Sequence, residues 1–86
     1  MPYIKDQITR KILQIFADDI IIDIFKKKGI TGNLNFMLFY MAKHYCNNYS
    51  DYQQFIGELE AAKLEIYRRL AAPYEDKKIK ENGDVE

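Results

Sequence analysis

Residues 50–70, Ser50-Asp-Tyr-Gln-Gln-Phe-Ile-Gly-Glu-Leu-Glu-Ala-Ala-Lys-Leu-Glu-Ile-Tyr-Arg-Arg-Leu70, decide the fold class. Tyr52, Phe55, Ile56, Leu59, Ala62, Ile66 and Leu70 recur at three- and four-residue steps, which places them on one stripe of an α-helix. Ser50 and Gln53 have the spacing in which each side chain satisfies the other's backbone N–H, so the helix is expected to start there. Glu65 and Arg69 form a favourable i,i+4 pair, and Gly57 is the one weak helix former. Pro73 lacks an N–H and crowds the preceding turn, so it ends or kinks this helix, or opens a short final one over Tyr74 to Lys80.

Two further amphipathic stretches precede it. The first runs from Asp6, a plausible cap, to Lys28, with Ile8, Ile12, Ile15 and Phe16 followed by Ile20, Ile21, Ile24 and Phe25. The stripe of its first half drifts relative to the second, and Ala17-Asp18-Asp19 interrupts it, which leaves open a kink or two short helices. Lys26, Lys27 and Lys28 suit the negative end of a helix dipole, and Gly29 suits the stop. The second stretch is expected to be capped by Asn33 and to run to about Asn47. Its segment Leu34 to Ala42 is apolar nearly all round, which predicts a helix at the centre of the fold or in a subunit interface. Asn82-Gly83 marks a stop, and a single helical domain over 1–80 with a polar tail over 81–86 is expected.

A chain of 86 residues buries only about 60–65% of the surface its unfolded form exposes, so oligomerisation is the natural supplement to its core. Cys46 is the single cysteine, which rules out an internal disulfide and fits a reducing compartment. The start of the chain has no apolar export segment, and the run Phe36 to Ala42 is far below the ~20 residues of a membrane span. A cytoplasmic protein without a membrane partner is expected. Thirteen basic and thirteen acidic side chains give zero formal charge, so nothing draws the whole molecule towards nucleic acid.

The chemistry-bearing residues are few. His44 and Cys46 could make a nucleophile pair, but two residues apart on a helix they point about 200° from each other. One His and one Cys do not make a structural zinc site. Asp18, Asp19, Asp23, Glu58, Glu60 and Glu65 could feed a divalent metal, as in helical nucleotide pyrophosphatases, but the paired Glu-x-x-Glu and Glu-x-x-Asp spacing is missing from the helices. Lys26-Lys27-Lys28 and Lys77-Lys78-Ile79-Lys80 are short basic runs; a helix end explains the first, and Glu75, Asp76 and Glu81 offset the second. The group Lys63, Tyr67, Arg68, Arg69, Tyr74 and Lys77 sets aromatic faces beside cations, a combination that can clamp a base and its phosphate. A solvated helix surface explains the same residues through pairs with Glu60 and Glu65.

The C-terminal half also carries a resemblance. The runs Glu58-Leu-Glu-Ala-Ala-Lys-Leu-Glu-Ile-Tyr-Arg-Arg, Ala72-Pro-Tyr-Glu-Asp-Lys-Lys-Ile and Glu81-Asn-Gly-Asp-Val, with Met-Pro-Tyr-Ile-Lys at the start and Gly32-Asn-Leu-Asn-Phe, resemble a set of short uncharacterised proteins from phages, bacteria and archaea. The resemblance implies no activity. It does imply that the segments around Pro73 and Asn82-Gly83-Asp84 belong to a family signature.

The expectation is an all-α, three- or four-helix bundle, a homodimer or higher oligomer, with no catalytic residue, cofactor or metal. Two functions fit: a non-enzymatic interaction protein, or a binder of a small anionic, nucleotide-type ligand, such as a phage-type sequestering protein, that uses Lys63, Tyr67, Arg68, Arg69, Tyr74 and Lys77. A metal-dependent nucleotide hydrolase is a distant third.

Overall fold

The structure, a computed structural model, describes residues 6–83. Every regular element among them is helical: α1 (Gln7–Ile20), a π-turn (Ile21–Phe25), α2 (Lys26–Lys28), α3 (Asn33–Tyr45), α4 (Tyr49–Ile66), a second π-turn (Tyr67–Ala71) and α5 (Ala72–Asn82). The backbone stays helical through both π-turns, so the described residues form three continuous helices, 7–28, 33–45 and 49–82. They fall into two units, 6–52 and 53–83.

The two π-turns answer questions the sequence leaves open. In each, a backbone N–H reaches back five residues rather than four: Lys26 to the Ile21 carbonyl, and Ala72 to the Tyr67 carbonyl. One extra residue per turn rotates everything downstream by about 100°. In the first helix Ile24 would lie roughly 160° away from Ile8 in a regular helix; sitting inside the widened turn, it is carried part of the way back towards the Ile8–Ile12–Phe16 stripe. The apolar drift is thus absorbed by a widened turn, with no break at Ala17-Asp18-Asp19. In the last helix Pro73 has no N–H for the Arg69 carbonyl and its ring crowds that group. Widening the turn ahead of it lets the helix pass through Pro73 to Asn82, so α5 continues α4 instead of opening a separate helix.

Caps hold the ends, two of them displaced from the expected residues. Asp6 caps α1 as expected: its carboxylate accepts from the Ile8 N–H at 3.0 Å and the Thr9 hydroxyl at 2.6 Å. The Thr9 bond first, then the Ile8 N–H, holds the Asp6 carboxyl below its ordinary pKa. This cap contributes fully above the ordinary aspartate range and is lost as the pH falls through the lowered value. Asn33 is the first residue of α3 and not its cap; its amide donates to the Gly29 carbonyl at 2.7 Å, serving the end of the previous helix. Gly29 and Gly32 turn the chain there with φ of 89° and 81°, values that only glycine adopts without strain. At α4 the expected Ser50–Gln53 box is replaced by one two residues earlier. Asn48 accepts from the Asp51 N–H at 2.9 Å, and Asp51 accepts from the Asn47 N–H at 3.0 Å. Asn and Ser rank alike as caps, so the choice falls to Asp51, the shorter, charged partner that reaches back across the turn. The last helix ends at Asn82, two residues beyond the Lys80 expected as its end, and the Gly83 N–H caps it on the Ile79 carbonyl at 2.8 Å. Residues 84–86 of the expected tail lie outside the described residues.

Burial is slight. Among the described residues Cys46 alone is buried, at 6% exposure, where it ends α3 in extended conformation. One face of α3, Leu34, Met37, Leu38 and Ala42, is half-buried. Its other face carries Phe36 at 67% and Phe39 at 65% exposure. Within one chain α3 is therefore not enclosed in the way its all-round apolar sequence suggests.

Asn48→Ala should lower stability by about 1 kcal/mol, and Ser50→Ala by only ~0.3 kcal/mol, in chemical denaturation. At Gly57 a Cβ meets nothing within 4 Å, so Gly57→Ala should raise stability by roughly 1 kcal/mol.

Candidate functional site

The six residues singled out by the sequence lie on one helix, around the π-turn that Pro73 imposes. The structure sorts them into three places. Lys63 and Tyr67 are one turn apart and line an open, apolar groove with Leu64, Ile66 and Ala71. Arg68 and Arg69 reach back to Glu65, at 2.7 and 3.1 Å, so two guanidinium groups share one half-buried carboxylate. Arg69 and Glu65 line a second shallow groove with Ile66 and Leu70. Tyr74 lies past the π-turn, under the ammonium of Lys78 at 5.6 Å from its ring centre. Lys63 itself pairs with Glu60 at 3.6 Å.

Two partners were not singled out from the sequence. Lys78 rather than Lys77 covers Tyr74, a match the i,i+4 spacing could have revealed. Glu75 accepts a hydrogen bond from the Tyr67 hydroxyl at 3.2 Å, eight residues along the helix. In a regular helix residues eight apart diverge by about 80°; the extra residue of the π-turn brings them to within roughly 20°. No spacing rule finds this pair without knowing the widened turn. The Glu75 charge, then its hydrogen bond, a little burial and the more distant Asp76 raise the Tyr67 hydroxyl above the ordinary tyrosine pKa. The bond needs the neutral phenol, so it is intact below the ordinary tyrosine range and is lost as the pH rises through the raised value.

The surface can therefore offer a tyrosine face and an ammonium at one groove, while the arginines are held by Glu65 on another side. Acid partners balance most of its cations.

The remaining chemistry is dispersed. The His44 ring lies tilted against Tyr40 at 4.2 Å, and Tyr40 stacks with Phe36 at 6.3 Å, forming a ladder along the outer face of α3. Cys46 lies beyond the end of that helix. Burial, helped by the charge of Asp51, pushes its thiol above the ordinary cysteine range, the opposite of what a thiolate nucleophile requires. Among the described residues no three His, Cys, Asp or Glu side chains gather where a metal ion could sit. None of the described helices is long and apolar enough to cross a membrane.

The Tyr67–Glu75 link gives a direct test of the π-turn. In a spectrophotometric pH titration Tyr67 should ionise above the ordinary tyrosine range. Glu75→Gln should return it towards the ordinary range, and Pro73→Ala, by letting the turn close to a regular helix, should do the same.

No curated protein and no solved structure matches this chain. One family does: the pattern of DUF6899, a domain of unknown function, matches residues 1–85, so the groove, the π-turn and all three helices fall inside the matched segment. The chain belongs to the DUF6899 family.

Proposed function

We propose that this protein is a non-enzymatic interaction protein that works as an assembly, its apolar helix faces covered by further polypeptide. One observation carries the reading: large apolar side chains stay exposed along every helix, Ile8 at 72% and Leu70 at 67% among them, while Cys46 alone is buried among the described residues. Covering a single Ile, Leu or Phe is worth about 1.5–3 kcal/mol. Leaving Ile8, Ile12, Ile15, Phe16, Phe36 and Phe39 in water forfeits roughly 10 kcal/mol, as much as the whole stability of a small domain. Contiguous apolar surface of this kind marks an interaction site. The covered form is a three- or four-helix bundle assembled as a homodimer or higher oligomer, in the cytoplasm. Zero net charge favours polypeptide over nucleic acid as the partner.

A second reading rests on the groove beside Tyr67. A nucleotide-type ligand would stack its base on that ring and place a phosphate by Lys63, with Tyr74 and Lys77 further along and Arg68 and Arg69 recruited away from Glu65. A thermal shift on addition of nucleotides, lost in Tyr67→Ala and Lys63→Ala, would support it.

Sedimentation equilibrium tests the first reading. The expected mass is at least twice the chain's 10.2 kDa, with a melting temperature that rises with protein concentration. Phe16→Lys should weaken association tenfold or more, the equivalent of about 1.4 kcal/mol. A monomer whose helix content is unchanged by dilution, with no partner added, would overturn the proposal.

A further inference from the structure

Residues 53–82 form one helix whose apolar stripe runs through Phe55, Leu59, Ile66, Leu70 and Tyr74. Among the described residues of their own unit there is no second element for them to pack on. Their charges divide unevenly along the rod. Residues 53–66 carry Glu58, Glu60 and Glu65 against Lys63, which is net acidic. Residues 67–82 carry Arg68, Arg69, Lys77, Lys78 and Lys80 against Glu75, Asp76 and Glu81, which is net basic by the same amount. The Glu65 carboxylate already holds both arginines, and two guanidinium groups on one carboxylate still leave that turn positive.

The flanks of the stripe sharpen the pattern. At about 100° per residue, Glu58 and Arg69 project on the same flank, roughly 90° from the centre of the stripe. The π-turn moves Lys77 from the apolar stripe, where a regular helix would set it in line with Leu59, to that flank as well. When two helices pair in opposite directions, like flanks meet; when they pair in the same direction, opposite flanks meet.

We infer that helix 53–82 pairs with a second copy of itself in antiparallel orientation. The acidic half of each lies along the basic half of the other, and Glu58 faces Arg69 of the partner subunit. The crossing lies near Lys63 and Leu64, beside the apolar groove of Leu64, Ile66, Tyr67 and Ala71. A parallel pair would set acid on acid and base on base and would align the two helix dipoles unfavourably. This inference rests on the association proposed above and names its partner and direction.

Cysteine cross-linking, with sedimentation of each variant alongside, tests it. In a Cys46→Ala background whose helicity is checked by circular dichroism, Ala62→Cys, on the stripe beside the crossing, should join to itself with a short bismaleimide. Phe55→Cys alone and Tyr74→Cys alone should not cross-link, whereas a re-equilibrated mixture of the two should. Self-linking of Phe55→Cys or Tyr74→Cys would overturn the antiparallel arrangement. So would an oligomer by sedimentation that cross-links at none of these positions, which would leave association itself intact. A monomer by sedimentation would remove both. As a check free of new thiols, Glu58→Arg should weaken the dimer at least fivefold, and Glu58→Arg with Arg69→Glu should recover most of the loss.

Discussion

An α-helix satisfies its own backbone hydrogen bonds but cannot cover its own apolar stripe, and this asymmetry governs the molecule. The backbone is nearly self-sufficient: Asp6 and Gly29 close the first helix, Gly32 and Cys46 flank the second, Asn48 and Gly83 close the third, and even Pro73 is accommodated without breaking the rod. The side chains are not. Phe36 and Tyr40 stack on each other at the outer face of α3 because nothing else in that unit lies over them. Helix 49–82, at about 1.5 Å per residue, is roughly 50 Å long, well beyond the ~30 Å breadth of a small domain.

The π-turns show how local strain and surface patterning are linked. Each adds one residue to a turn, and each changes which side chains share a face. The first turns Ile24 towards the stripe begun by Ile8. The second places Glu75 under Tyr67 and Lys77 on the flank of Glu58 and Arg69. Pro73 supplies the cause in the second case, since its missing N–H and bulky ring make the tighter turn costly. Nothing in the sequence around Ile21 to Phe25 supplies an equally plain cause for the first.

Electrostatics in this chain is local. Lys27 with Asp23, Lys63 with Glu60 and Lys78 with Glu81 are exposed pairs one turn apart, each worth only a few tenths of a kcal/mol. Glu65 differs: it is half-buried and gathers two guanidinium groups. That arrangement ties the arginines down beside the π-turn, and it separates them from the Lys63–Tyr67 groove that the same sequence run had suggested they would share.

Helix existence was legible because periodicity is a property of neighbours three and four residues apart. The stripe from Tyr52 to Leu70, the cap at Asp6 and the stops at Gly29 and Gly83 could all be read directly, as could the Glu65–Arg69 pair. The cap of α4 was misplaced by two residues because Asn48 and Ser50 are both competent, and only the position of Asp51 chooses between them. Tyr67–Glu75 was illegible, since eight residues make neighbours only if a turn is widened. The sequence alone determined that this chain is helical and that its helices carry apolar stripes. The structure decided which faces stay open, because exposure depends on where helices lie in space and on the register shifts within them, and neither is encoded in local spacing.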